Sequence, residues 1–190
     1  AGEPLLIPRA GNSPVGYLHF RSFISAAYDA TLTYSANYNY PLPEAARVFK
    51  EAGVTDIVID LRYNSGGLLS VAQAFLNLLA GESAEGEPSY VLKVNDNPEN
   101  NFSDDGDYFE PLPETFSPLR IAFIVTGYSA SASELMINGL DPHIDVALVG
   151  GPETAGKAVG QSLFPLDEDE CEMALRLISF EIQNGLGQGG

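Results

Sequence analysis

The sequence is poor in the residues on which several common kinds of site depend. It has one cysteine, Cys171, two histidines and no tryptophan among its 190 residues. A single cysteine cannot form a disulfide within the chain, and no Cys/His cluster is present for a structural zinc site. No apolar run reaches the ~18 residues of a membrane-spanning helix. The N-terminus has no basic start followed by an apolar stretch, so we predict no signal peptide within this chain.

Basic residues are also scarce. The chain has 9 Lys and Arg against 26 Asp and Glu, which gives a formal net charge of −17. A surface of this charge repels phosphate backbones and anionic membranes, so we expect neither nucleic-acid binding nor membrane insertion. The length and the 45% hydrophobic content are typical of a globular protein with a real core. We therefore predict a single domain over residues 1–190.

The strongest secondary-structure signals are three continuous β-branched or apolar runs, at residues 57–61, 121–125 and 146–149. Helical patterns at 68–79 and 130–140 follow the first two. This alternation predicts an α/β fold with a mainly parallel core sheet and flanking helices. Weaker signals predict strands at 16–20, 90–92, 159–164 and 173–182, and a helix at 43–50.

Residues 81–115 stand apart from this pattern. They include ten acidic side chains, many turn formers and little periodicity, so we predict a surface excursion that could act as a flap. Residues 101–106 begin like a calcium loop. The twelfth position of that loop is Leu112 instead of the bidentate glutamate, so we expect no metal there.

Two glycine-rich segments match nucleotide-binding motifs only in part. Residues 151–157 fit the first seven positions of a P-loop, but Ala158 stands where a Ser or Thr should bind magnesium. A predicted strand follows, whereas a helix N-terminus must hold the phosphates. Residues 185–190 fit a dinucleotide fingerprint that no helix follows. We therefore predict no nucleotide and no other cofactor.

A serine-rich segment joins the strand at 121–125 to the following helix. Ser131 and Glu134 have the spacing of a capping box, in which Ser131 would only be an N-cap. The alternative is that Ser131 is a nucleophile. The sequence around it differs from the G-x-S-x-G elbow, because Ser131 stands where the last glycine would be.

Lys157 is one of only three lysines and lies between Gly156 and Ala158, in an uncharged stretch between two strands. It could be an ordinary surface lysine. If it were buried, desolvation would disfavour its ammonium form, and the neutral amine could take the proton of a serine hydroxyl. Gly66 and Gly67 follow another strand, where they could turn the backbone and present N–H groups to a ligand, or simply form a turn.

Together, these segments resemble the C-terminal processing peptidases, also called tail-specific proteases. The family pattern is a strand ending in Asp-Leu-Arg-x-Asn-x-Gly-Gly, then Ser-Ala-Ser-Ala-Ser-Glu, then Gly-Glu-x-Thr-x-Gly-Lys with a glutamine four residues later. Residues 60–67, 129–134 and 151–157 match these motifs in order, and Gln161 supplies the glutamine. The chain departs from the pattern at Pro152, which is inserted, and at Ala155, which replaces an aromatic residue.

The resemblance implies a serine endopeptidase with a crotonase- or Clp-protease-like core that acts near protein C-termini, in the periplasm or cell envelope. Its substrates would be proteins or peptides. Ser131 would be the nucleophile, Lys157 the base in a buried pocket, and Gln161 the residue that positions the lysine. The backbone N–H of Ala132, with that of Gly66 or Gly67, would form the oxyanion hole. The family's PDZ domain has no room before the first strand, so we expect none in this chain.

Two other functions remain open at this point. A Ser–His–Asp hydrolase would have to use His19, in a predicted strand, or His143, in a loop. A non-catalytic module that binds peptides or other ligands could also use this fold. Intact Ser131, Lys157 and Gln161 argue against the module, whereas the missing PDZ domain favours it.

Overall fold

In the computed structural model, the described residues fold into two β-sheets and three α-helices. The structure describes residues 2–24, 41–80, 84–94, 105–151, 153–165 and 173–189.

The larger sheet is mostly parallel, as the sequence predicts. Its strands are β1 (Leu5–Ile7), β2 (Val15–His19), β3 (Asp56–Asp60), β6 (Arg120–Val125) and β7 (Asp145–Gly150), in the spatial order β1-β2-β3-β6-β7. Only β1 is antiparallel to its neighbour. Since the remaining four strands run in one direction, the segments that follow β3, β6 and β7 meet at the same edge of the sheet.

Three helices cover this sheet: α1 (Pro41–Glu51), α2 (Leu69–Ala80) and α3 (Ala132–Leu140). The helix α2 packs against both others and is buried along almost its whole length, which explains why its sequence is apolar nearly all round. The core forms between these helices and β3 and β6. The chain is thus a mixed α/β protein, whereas a specific likeness to crotonase or Clp protease stays a prediction.

The smaller sheet is antiparallel, and the sequence analysis did not predict it. It contains β4 (Pro88–Val94), β5 (Asp105–Tyr108), β8 (Val159–Pro165) and β9 (Ala174–Asn184), in the order β5-β4-β9-β8. Only the eight residues 166–173 separate β8 from β9. A parallel pair needs a crossover of a dozen or more residues, so this spacing dictates an antiparallel hairpin.

The segment 81–115 also differs from the surface excursion that the sequence predicts. It contributes β4 and β5, and Phe109 and Tyr90 within it are buried in the core. The pairing of β4 with β5 is irregular near Pro88. A buried polar side chain of α2 also bonds to β5. Gln73 of α2 donates to the Tyr108 carbonyl at 2.7 Å. Residues 101–104, where the calcium-like motif begins, lie outside the described residues.

A buried carboxylate ends β3. Asp60 is fully buried, and it accepts hydrogen bonds from the Arg62 guanidinium at 2.6 Å and from the Tyr17 hydroxyl at 2.8 Å. Burial alone would raise the pKa of Asp60, but the bonds from Arg62 and Tyr17 outweigh it and lower the pKa to about 2. The ionised carboxylate therefore stabilises the turn that leaves β3.

This network makes stability depend on pH in one direction. Because the folded-state pKa lies below the ordinary value of 3.8, the contribution of Asp60 is complete above that pH and is lost as the pH falls towards 2. Asp60→Asn should lower the unfolding free energy at pH 7 by about 1.5–3 kcal/mol. Its deficit relative to wild type should shrink between pH 4 and pH 3.

Urea unfolding at pH 7, 4 and 3 measures this effect. Asp141→Asn, at the exposed end of α3, is the matched control and should keep the wild-type pH dependence. A deficit in Asp60→Asn that is the same at all three pH values would show that the carboxylate charge plays no part.

Candidate active site

Three segments meet where β3, β6 and β7 end. Residues 61–67 follow β3, residues 126–131 follow β6, and residues 151–157 follow β7. These strands are neighbours in the order β3-β6-β7. The carboxyl ends of parallel strands are the usual place for ligand and catalytic sites in α/β sheets, so this edge is the candidate site.

Ser131 occupies a strained turn between β6 and α3. Its backbone angles are φ 57° and ψ −116°, outside the regions that residues other than glycine favour. A sharp, strained strand-to-helix turn is also what exposes the nucleophile in α/β-hydrolases, although the sequence here lacks the glycine pattern of those enzymes. The strained backbone is the observation that favours a functional role for Ser131 over a plain helix cap.

Ser131 differs in burial and in hydrogen bonding from the two serines beside it. Ser129 is fully buried and donates to the Leu61 carbonyl at 2.8 Å, and Ser133 is fully buried and donates to the Asn64 carbonyl at 2.9 Å. Ser131 is only half-buried, and its hydroxyl makes a long 3.4 Å bond to a backbone carbonyl at the start of β8. Of the three hydroxyls, that of Ser131 is the one a substrate could reach.

Glu134 ties the serine turn to the lysine segment. Its side chain is only 3% exposed. One carboxylate oxygen accepts the backbone N–H of Ser131 at 2.8 Å, and the two oxygens accept the N–H of Lys157 at 3.1 and 3.2 Å. The Thr154 hydroxyl also donates to it at 2.8 Å. The sequence indicated only the bond within the capping box, because nothing in the S-x-x-E spacing points to a partner 23 residues away.

Backbone bonds join the same two segments. The N–H of Ser131 also approaches the Lys157 carbonyl at 3.2 Å, and Ala155 donates to the Ser129 carbonyl at 3.0 Å. The serine turn is bonded on its other side to the segment after β3, where Ala130 donates to the Asn64 carbonyl at 3.2 Å. Ser131 is therefore held between the two segments that the sequence also singles out.

Gly66 lies against the serine turn. A Cβ atom placed on it would come within 2.8 Å of the Ser131 Cβ and 2.7 Å of the Ala130 carbonyl oxygen, and its φ is +98°. Only glycine allows this close approach. Its N–H, however, donates to the Asn64 side-chain oxygen at 2.9 Å. Of the two alternative oxyanion donors, Gly66 is therefore already engaged.

Gly67 and Ala132 have N–H groups that are not engaged in this way. The N–H of Gly67, which has φ +144°, bonds to no acceptor among the described residues. Ala132 is the first residue of α3, where helix geometry provides no acceptor for the N–H. The structure thus brings Gly66 and Ala132 to the serine turn, and the N–H groups of Ala132 and Gly67 remain able to donate.

The burial predicted for Lys157 is not observed. Its backbone is fixed next to Ser131, but the residue is exposed, because it lies in the open segment between β7 and β8. Gln161, on β8, is exposed as well and pairs with Ile178 of β9. Among the described residues, no side-chain hydrogen bond joins Ser131, Lys157 and Gln161. The structure therefore places the Lys157 backbone beside Ser131, and the predicted contact between the serine and lysine side chains stays a prediction.

The two histidines lie in other surroundings. His143 packs edge-on against Phe109, with ring centroids 4.8 Å apart, and its Nδ1 is 3.5 Å from a Glu87 carboxylate oxygen. His19 is the last residue of β2 and pairs with Asp60. Within the described residues, no hydrogen bond connects either imidazole to Ser131.

The alternative ligand sites also find no support in the described part of the chain. It contains no group of three His, Cys, Asp or Glu side chains that could hold a metal ion. The segment that resembles a P-loop leads into the strand β8 instead of a helix, as predicted. None of the helices in the described ranges is long and apolar enough to cross a membrane.

Comparisons with known proteins point to one family. A model of peptidase family S41 matches residues 14–187. A carboxyl-terminal-processing protease of Synechocystis is 29% identical over 158 residues, which are 83% of this chain and 34% of the relative. The matched segment therefore spans about a third of that relative's length.

Solved structures agree with this match. A structure described as a putative S41 protease of Bacteroides fragilis has a TM-score of 0.78 and 29% identity, over 98% of this chain and 46% of the other. A photosystem II D1 C-terminal processing protease has a TM-score of 0.66 over 97% of this chain and 41% of its own. At 18% identity it shows a similar fold only.

The role of Glu134 can be tested by removing its charge. Glu134→Gln keeps the shape, but only one of its two terminal atoms can accept hydrogen bonds, so the NH₂ group must displace an N–H donor or force the Thr154 hydroxyl to turn and accept. We expect the unfolding free energy to fall by about 1.5–3 kcal/mol in urea titrations. Amide hydrogen exchange at Ser131 and Lys157 should also accelerate.

Glu153→Gln is the matched control, because Glu153 lies exposed in the segment after β7. It should change stability by less than about 0.5 kcal/mol. If both substitutions cost the same, the buried carboxylate does not hold the two segments together.

Proposed function

The chain belongs to peptidase family S41, and we propose that it hydrolyses peptide bonds with Ser131 as the nucleophile and Lys157 as the general base. The observation that carries the proposal is the strained, half-buried Ser131, whose backbone is fixed beside both Lys157 and Gly66. The family shows that the chain is related to peptidases, while the roles of single residues are inferred from the geometry.

In the first step, the Ser131 oxygen attacks the carbonyl carbon of the peptide and its proton passes to the neutral Lys157 amine. The carbonyl becomes an oxyanion, which the N–H groups of Ala132 and Gly67 would stabilise. We favour Gly67 over Gly66 because the Gly66 N–H is bonded to Asn64. Loss of one such donor typically costs about 2.7–4 kcal/mol of barrier.

In the second step, the carbon–nitrogen bond breaks and the leaving amine takes the proton from Lys157. The acyl group remains on Ser131. Water then attacks this ester and Lys157 takes a proton from the water. Lys157 returns that proton to the Ser131 oxygen as the acyl group leaves as a carboxylic acid, which restores both side chains. Atoms and charge balance without a metal or an organic cofactor. Gln161 would position the lysine amine through a hydrogen bond.

The exposed position of Lys157 means that the free site is open. An extended peptide lying over Ser131 would exclude water from the lysine and so favour its neutral form. We therefore propose that the substrate itself provides the burial that the sequence suggested. Hydrogen bonds in a free enzyme often tighten only in the complex, so the open arrangement is compatible with this role.

The named relatives process protein C-termini, and we propose the same substrate class here, with action in the periplasm or cell envelope. Both proposals rest on relatives that are much longer than this chain.

The lysine base can be tested by mutation. Lys157→Ala should lower kcat by roughly 10²- to 10⁴-fold on a chromogenic peptide, as loss of a general base does. Lys93→Ala, on β4, is the matched lysine control and should keep most of the activity. If His19→Ala or His143→Ala abolishes hydrolysis and Lys157→Ala does not, a histidine is the base.

A further inference from the structure

Two tyrosines occupy equivalent places in two neighbouring turns. The turn at residues 61–64 follows β3 and is closed by the Asn64 N–H, which donates to the Leu61 carbonyl at 3.0 Å. The turn at residues 126–129 follows β6 and is closed in the same way at 2.8 Å. The third residue of the first turn is Tyr63, and that of the second is Tyr128. The two tyrosines therefore stand side by side at the edge that carries the candidate site.

The two rings are open to solvent and close to each other. Tyr63 is 72% exposed and Tyr128 is 71% exposed. Their ring centroids are 6.1 Å apart, and the planes are tilted by 45°. Neither hydroxyl bonds to another described residue. Two large aromatic side chains thus form an adjacent pair that the described part of the protein does not cover.

The backbone of the first turn does not explain the tyrosine. Tyr63 has φ 63°, and the third position of a turn with positive φ favours glycine or asparagine. A bulky residue there costs backbone energy. The conformation of the turn therefore gives no reason for a tyrosine at this position, and the reason must lie in what its side chain contacts.

The pair lies next to the nucleophile. Tyr128 precedes Ser131 by three residues in the same loop, and Gly66, which packs against Ser131, follows Tyr63 in the other loop. The two loops are bonded through the Ala130 N–H and the Asn64 carbonyl. A peptide whose carbonyl reaches Ser131 would pass close to both rings.

We propose that Tyr63 and Tyr128 bind an aromatic side chain of the peptide substrate, near the bond that Ser131 attacks. Aromatic rings associate in tilted or edge-on arrangements at centroid distances that an open tyrosine pair can offer. A cationic side chain could also bind these rings, so an Arg peptide is the competing ligand in the test. The proposal rests on the proposed peptidase function, because it identifies the occupant as the substrate of Ser131.

The test measures binding without cleavage. In the Ser131→Ala form of the full chain, calorimetry compares a short Ala/Ser/Gly peptide carrying one central Phe with the same peptide carrying Ala there. The Phe peptide should bind more tightly by roughly 3- to 10-fold. Adding Tyr63→Gly or Tyr128→Ala should bring the ratio of the affinities for the Phe and Ala peptides close to one. Tyr63→Phe and Tyr128→Phe should preserve that ratio.

Two controls separate binding from structure. Tyr108→Ala removes an exposed tyrosine from β5, at the far edge of the second sheet from β8, and should leave the ratio unchanged. Tyr63→Gly should not lower the urea midpoint, because glycine suits the positive φ. If the tyrosines had only a structural role, the substitutions would lower stability and leave the ratio of the affinities for the Phe and Ala peptides unchanged.

The outcomes also separate this inference from the proposed function. Equal binding of the Phe and Ala peptides overturns the aromatic site, even if wild type hydrolyses both. Tighter binding of an Arg peptide than of the Phe peptide overturns it in favour of a cation site. If Phe is preferred through the two tyrosines but wild type cleaves neither peptide, the aromatic site stands and the peptidase proposal fails.

Discussion

The buried carboxylate of Glu134 connects the two segments on which the candidate site depends. It accepts backbone N–H groups from both Ser131 and Lys157, and a hydroxyl from Thr154. An ionised group can remain in a buried position only when such donors satisfy it, so the three partners and the carboxylate require each other. One side chain of α3 thereby fixes where the segment after β7 lies relative to the start of the helix.

The parallel sheet brings the segments that Glu134 connects to the same edge. Because β3, β6 and β7 end at one edge, three loops far apart in sequence meet there. Gly66 lets the first loop approach the second at a distance that any side chain would prevent. The strained backbone of Ser131 persists because bonds from both neighbouring loops hold it. Lys157 and Gln161 are exposed, so this edge of the sheet is open beside Ser131.

Much of this arrangement could be predicted from local patterns, and the exceptions have physical causes. The apolar runs of β3, β6 and β7 identify buried parallel strands directly, because such strands are covered on both faces. The sequence predicted strands at the places of β4, β8 and β9, but it indicated neither β5 nor a second, antiparallel sheet. The strand β5 lies in an acidic segment that is held partly by a polar side chain of α2. Motif spacing singled out Ser131 and Gly66, which lie in contact, while their chemical roles stay predictions. It could not indicate whether Lys157 is covered, since burial of a loop residue depends on what lies over it.

The central claim is that Ser131 is the nucleophile, and its neighbours make the test direct. A fluorophosphonate should attach once per chain, and peptide mapping by mass spectrometry should place the adduct on Ser131. The buried Ser129 and Ser133, whose hydroxyls bond to backbone carbonyls, should remain unmodified. Labelling should also be much slower in Lys157→Ala. An adduct on Ser129, on Ser133 or on a serine outside this segment, or no adduct on the folded chain, would contradict the account.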